Sequence, residues 1–263
     1  MKTKTLIIAT SLLLFAILTL PTFVVAQNIY GMTSNGGVNN AGIIFQYNPS
    51  TSAYIKKIDF TGANGQFPFG SLVQASDGNL YGMTYAGGTS GVGVLFQYNP
   101  STSTYTKKLD FTVVNGAFPS GSLIQASDDN LYGMTYQGGT NSEGNLFQFN
   151  PSTSTYTEKF DFTGVNGADP LGSLMQASDG NLYGMTEAGG TNNKGVLFQF
   201  NPVTSAYTKE LDFIGTNGAS PYNTNLLEVS PPTTLVPTLS QWAFITLSVL
   251  VLGAAVFFVR GRV

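Results

Sequence analysis

The chain has no cysteine and no histidine among its 263 residues, and only 10% of them are charged. Without cysteine there is no disulfide and no thiol nucleophile. Without either residue there is no Ser-His-Asp triad and none of the donor sets that usually hold zinc, copper or haem. Any metal would be a hard, oxygen-bound ion such as calcium. Positive charge is scarce as well: between residues 27 and 259 seven lysines and no arginine face all 14 Asp and Glu, so a polyanion is repelled and nucleic acid is excluded as a partner. What is abundant is glycine (31), phenylalanine (19), tyrosine (13) and proline (12), beside much Ser, Thr and Asn. That is the composition of a turn-rich all-β protein.

The two ends stand apart. Lys2 and Lys4 precede an apolar stretch over 6–20, and Val24-Val25-Ala26 presents small residues where a signal peptidase needs them. Residues 1–26 therefore read as a secretory signal peptide cleaved before Gln27. At the other end residues 242–259 are apolar apart from Thr246 and Ser248, and a basic tail, 260–263, carries Arg260 and Arg262. Eighteen residues at about 1.5 Å each give roughly 27 Å, enough for a transmembrane helix with the arginines on the cytoplasmic side of the inner membrane. The linker 231–241 leads into it through Val236, Pro237, Thr238, Leu239, Ser240, Gln241 and Trp242. That run, followed by an apolar span and arginines, resembles the IPTL-CTERM sorting signal of exosortase-bearing bacteria, with mild departures at Val236, Gln241 and Ala243. The resemblance implies an exosortase-type sorting enzyme as partner and transient anchoring in the inner membrane. It also implies export to the cell surface or the extracellular space.

Between the ends the sequence repeats itself every 51 residues. Tyr30, Tyr81, Tyr132 and Tyr183 each open a Tyr-Gly-Met block, and Phe45, Phe96, Phe147 and Phe198 each open a Phe-Gln-aromatic-Asn-Pro block. Asp59, Asp110, Asp161 and Asp212 follow in the same register. Such a period means one supersecondary unit copied four times. In the second copy the turn residues Asp77-Gly78, Asn99-Pro100 and Asn115-Gly116 bound four strands, over 71–75, 80–85, 94–98 and 105–111. The expected fold of residues 27–230 is all-β: a four-bladed β-propeller, kelch-like, of about 51 residues per four-stranded blade. The first copy lacks its opening strand, and residues 224–230 follow the fourth copy in the register of 172–178, so a closing C-terminal strand would complete the first blade. A β-solenoid or tandem β-repeat is the alternative. The pattern Asp-Gly-Asn-Leu-Tyr-Gly-x-Thr-x-x-Gly-Gly, then Gly-x-Leu-Phe-Gln and Asn-Pro, resembles the GloVer tandem repeat of bacterial choice-of-anchor secreted proteins. The third copy departs from it with Asp129 in place of the turn glycine.

Acids repeated in every copy, Asp77, Asp128 and Asp179 at one turn and Asp59 with its equivalents at a strand end, fit a scaffold role, since Asp in such a turn caps its own backbone. No catalytic residue and no metal ligand is assigned. No cofactor is expected, a pseudo-symmetric calcium site of Asp turns being the sole version worth testing. The unpaired acids that break the symmetry, Glu143, Asp169 and Glu187, in separate blade segments, are where a catalytic site would be sought. Binding residues are sought where the copies differ: Tyr85, Tyr136 and Glu187 after the Tyr-Gly-Met-Thr block, and Asn141 and Asn192 in the loop tips after the double glycine. The function expected is that of a secreted or cell-surface non-enzymatic repeat protein binding glycan or protein in the surface or matrix layer. The alternative is a propeller hydrolase or lyase acting on polysaccharide.

Overall fold

The computed structural model describes residues 28–229. The leader, the sorting motif, the apolar span at 242–259 and the basic tail lie outside the described residues. The chain divides into two compact units, Met1–Leu226 and Leu227–Val263, and every strand falls in the first.

Each copy of the repeat becomes one antiparallel meander. The first sheet holds β1 (Ile29–Thr33), β2 (Ile43–Asn48) and β3 (Ala53–Asp59). The second runs β4 (Val73–Gln74), β5 (Leu80–Thr84), β6 (Val94–Asn99) and β7 (Thr104–Asp110). The third runs β8 (Ile124–Gln125), β9 (Leu131–Thr135), β10 (Asn145–Asn150) and β11 (Thr155–Asp161). The fourth runs β12 (Met175–Gln176), β13 (Leu182–Met185), β14 (Val196–Phe200) and β15 (Tyr207–Asp212). No helix occurs among the described residues.

The register explains the conserved spelling of the repeat. Gly82 sits opposite Phe96, and Gly133 opposite Phe147, in the pairing of the second and third strands. A Cβ on Gly133 would stand 2.7 Å from the Phe147 ring, so glycine lets the phenylalanine lie flat across its neighbour strand. Each sheet then carries a bulge just before that phenylalanine, between Leu95 and Phe96 in the second, which adds twist beside a ring that packs on the preceding copy. The result is three cores, one per junction. Phe60 meets Phe96 at 5.5 Å between the first and second sheets, Phe111 meets Phe147 at 5.5 Å, and Phe162 meets Phe198 at 5.5 Å. Each junction is also pinned by a tyrosine: the Tyr105 hydroxyl donates to Asn64 O, Tyr156 to Asn115 O at 2.6 Å, and Tyr207 to Asn166 O.

The innermost strands are shorter than the turn residues predict, two residues in place of five. Their flanks bond outward to the next copy instead: Ser71 N donates to Ser122 Oγ (2.7 Å) and Ser76 N to Gln125 Oε1 (2.8 Å). The same ladder continues with Ser122 N to Ser173 Oγ (2.8 Å) and ends with Ser173 N to Asn225 Oδ1 (3.1 Å). Asn225 thus stands in the serine position of a fifth, partial copy. The closing strand expected over 224–230 goes no further: no strand is formed across 224–229, and the first sheet has three strands. Among the described residues the fourth and first sheets share none of the junction contacts. Phe45 stacks only on Tyr54 of its own sheet at 5.4 Å, and Tyr54 is 57% exposed where its three equivalents are pinned.

Candidate functional site

The repeated acids are bound into the scaffold, apart from one oxygen: Asp161 Oδ1 is buried without a hydrogen-bond partner. Asp77 accepts hydrogen bonds from Asn79 N (2.9 Å), Asn79 Nδ2 (2.8 Å) and the Tyr81 hydroxyl (2.8 Å), and Asp128 and Asp179 repeat the set. Burial works against the charge of Asp77, but these donors win and hold its carboxyl below the usual range, while burial and Asp77 together push the Tyr81 phenol up. Asp129 adopts a φ of +62° and makes the same turn as Gly78, its amide donating to Ala126 O at 3.0 Å, a conformation aspartate tolerates. Asp59, Asp110 and Asp212 pair with Lys56, Lys107 and Lys209 at 2.7, 2.8 and 3.0 Å. Among the described residues no group of three or more carboxylates is arranged to hold a metal ion.

The third copy breaks this pattern. Glu158 stands where the lysine stands elsewhere, and burial together with the Asp161 charge raises its carboxyl. Asn145, fully buried where the other copies have Ile43, Val94 and Val196, donates to Glu158 Oε2 at 3.2 Å. The larger departure lies on the inner side of the sheets. At each junction a three-residue backbone ladder joins the copies: Phe67 N to Ala41 O and Tyr85 N to Phe67 O at the first, Phe118 N to Val92 O and Tyr136 N to Phe118 O at the second. At the third the same ladder is Asp169 N to Glu143 O (3.0 Å) and Glu187 N to Asp169 O (3.1 Å). Three positions that are apolar or aromatic at the first two junctions are therefore all acidic at the third. The acids that look scattered along the sequence are neighbours in space.

Their electrostatics follow from that. Burial, then the charges of Glu143 and Glu187, push the Asp169 carboxyl from the usual 3.8 up to about 6. The Tyr136 phenol is raised by burial and then by Asp169 and Glu187. Because the folded value of Asp169 lies above its unfolded one, the folded chain binds this proton more tightly. That stability is present below pH 4 and is lost as pH rises through 6. Asp169→Asn should accordingly leave the melting temperature unchanged at pH 4 and raise it at pH 7.5. The gain is about 1 kcal/mol at most once solvent screening of a half-buried carboxylate is discounted. Thermal melts of both proteins at the two pH values check this, and parallel pH profiles would contradict it.

Beside the acidic ladder lies a cavity of about 400 Å3 lined by Phe69, Tyr85, Ser120, Tyr136, Leu171, Glu187, Tyr222 and Asn223. Tyr85 is held between Phe69 and Phe118, with ring centroids 5.1 Å away on each side, so this wall is rigid. A second cavity of about 220 Å3 shares Phe69, Ser120, Leu171 and Asn223 with it and is otherwise lined by small and polar residues such as Ser71, Ser122, Ser173 and Asn225. Of the residues singled out in the sequence, the structure brings Tyr85, Tyr136 and Glu187 into one cavity. Asn141 is elsewhere, donating to Asp161 Oδ2 at 3.2 Å, and Asn192 is exposed and not part of the lining. Sequence reasoning missed Phe69, Ser120, Leu171 and Tyr222. These four sit one period apart and differ in every copy beside an otherwise repeated segment, which is the signal that could have found them.

The chain belongs to the Gloeobacter/Verrucomicrobia repeat family, which it matches over residues 27–231. Residues 236–262 match the IPTL-CTERM motif, a sorting signal that implies recognition by an exosortase-type enzyme and marks an exported, cell-surface protein. No curated protein matches the chain. Among solved structures it is similar to the extracellular domain of a protein described as a hybrid two component system from B. thetaiotaomicron. The two are 16% identical over 76% of this chain and 23% of that one, with a TM-score of 0.51. It is also similar to TolB from Acinetobacter baumannii, at 13% identity over 64% of this chain and 37% of that one, with a TM-score of 0.45. A third is a protein described as a 6-phosphogluconolactonase from Bacteroides fragilis, at 16% identity over 79% of this chain and 57% of that one, with a TM-score of 0.45. The chain spans well under two thirds of the length of each. At these identities the first likeness shows a propeller-like fold alone.

Proposed function

We propose that the four sheets close into a four-bladed propeller that serves, at the cell surface, as a non-enzymatic frame for a glycan-binding cavity. The observation that carries the reading is the convergence of two variable columns of the repeat, Tyr85-Tyr136-Glu187 and Phe69-Ser120-Leu171-Tyr222, on one cavity while the rest of each copy repeats. Closure is supported by the complementarity of the two unused faces. Phe45 with Tyr54, and Phe213 with the Asn217 carbonyl, are copies of surfaces that pair at three junctions, and Ser120 Oγ already reaches Asn223 Oδ1 at 3.4 Å. Segment 224–230 would then complete the first blade. Export would proceed through cleavage before Gln27, and span 242–259 would anchor the chain until sorting.

A second reading, a hydrolase or lyase acting on polysaccharide, is favoured by one observation: a carboxyl raised to about 6 beside two further acids is poised to give or take a proton near neutral pH. A polysaccharide panel read for both retention and product release separates the two. Retention without release supports binding. Release that disappears in Glu187→Gln and Asp169→Asn would replace it with catalysis, and neither retention nor release would defeat the glycan reading, leaving a protein ligand.

A further inference from the structure

The cavity's chemistry says more about its ligand than its size does. Its walls are aromatic: Phe69, Tyr85, Tyr136 and Tyr222. Its one charged lining residue is Glu187, backed through the ladder by Asp169 and Glu143, and no lysine lines it. Aromatic faces attract cations through their quadrupole, and the attraction grows as water is excluded. Three acids gather at one junction where the other two place apolar or aromatic residues, and the Asp169 carboxyl is raised by burial first and then by like-charge repulsion from Glu143 and Glu187. A neutral ligand would leave that repulsion in place and an acidic sugar would add to it. A cation relieves it. A volume of about 400 Å3 suits one or two sugar rings.

Resting on the glycan reading above, we infer that the cavity takes a glycan whose sugars carry free amino groups, with the ammonium seated against Glu187 and the ring of Tyr136. The shared chemistry with a lysine side chain is evident, but a bare alkylammonium chain would use only the charge, while the broad aromatic walls and the polar adjoining cavity, with Ser71, Ser122 and Ser173, match the two faces and the hydroxyl rim of a sugar ring. Binding should be strongest near pH 6, where Asp169 is ionising under the influence of Glu143 and Glu187 and the sugar amine, which loses its proton close to neutral pH, still carries its charge.

The test measures affinity of the full-length protein, in mild detergent, for three probes of equal length: oligomers of glucosamine, of N-acetylglucosamine and of glucose, with polylysine as a fourth. The expected result is at least about tenfold tighter binding of the glucosamine oligomer than of the other two sugars at about pH 6, where its amines are protonated. That preference should be lost in Glu187→Gln with the melting temperature no lower than the parent's. Asp169→Asn should remove the fall in affinity on the acid side of that optimum while the chain stays folded. Equal affinity for the three sugars would overturn the ammonium assignment and leave glycan binding standing. Binding of polylysine without binding of glucosamine oligomers would overturn it in favour of a peptide cation. No binding of any probe would remove both the inference and the glycan reading.

Discussion

Phe147→Ala should destabilise the protein by about 3–5 kcal/mol, roughly 10 °C in melting temperature for a domain of this size. The ring is fully buried, spans the second and third sheets through Phe111 at 5.5 Å and Tyr156 at 5.3 Å, and lies over Gly133. Truncating it removes the anchor of one junction core and leaves a cavity between two sheets that cannot collapse on each other. The equivalent change in the first copy, Phe45→Ala, discriminates more sharply. In the described structure Phe45 is only partly buried and touches one ring, so with an open seam the loss would be about half as large or less. In a closed ring it packs as Phe147 does and the two variants lose equally. Chemical denaturation of both variants beside the parent measures the pair.

Removal of residues 224–230 is expected to lower the stability of the whole repeat region by several kcal/mol, whereas removal of everything from 235 onward should leave it unchanged. Asn225 caps the inner ladder through Ser173, and Thr224 packs against Gly172 as Gly172 packs against Gly121. Losing the segment uncovers the polar flanks of the fourth copy and takes away the strand that would complete the first blade. Equal melting temperatures for the two truncations would show that the last segment holds nothing.

Much of this was legible in the sequence because the period of 51 residues repeats both the strand pattern and its punctuation. Leu80–Thr84 and Val94–Asn99 fall where Asp77-Gly78, Gly87-Gly88 and Asn99-Pro100 bound them. The shortness of β4, β8 and β12 was not legible, since Ser71 and Ser76 spend their amides on Ser122 and Gln125, partners about one period away that no local pattern reveals. The cavity was half legible. Tyr85, Tyr136 and Glu187 stand out as one variable column, yet Glu143 and Asp169 join Glu187 only through backbone bonds across a junction, so the sequence scatters what the fold collects. Asn141 shows a different separation: this polar loop tip, which also differs between copies, lies away from the cavity and donates to Asp161.

The most direct test of the ring is a distance between its two ends. The chain has no cysteine, so Lys56→Cys with Thr216→Cys carries the only two spin labels in the molecule, at exposed positions on the first and fourth sheets. Lys107→Cys with Ala63→Cys is the internal reference, because Lys107 Nζ meets Ala63 O at 3.5 Å across a formed junction of the same register. Dipolar broadening of continuous-wave spectra in frozen solution, which reads separations this short, should be the same for the two pairs. A 56–216 distance longer than the reference by a sheet spacing, about 10 Å or more, would contradict closure and describe four blades in an open arc.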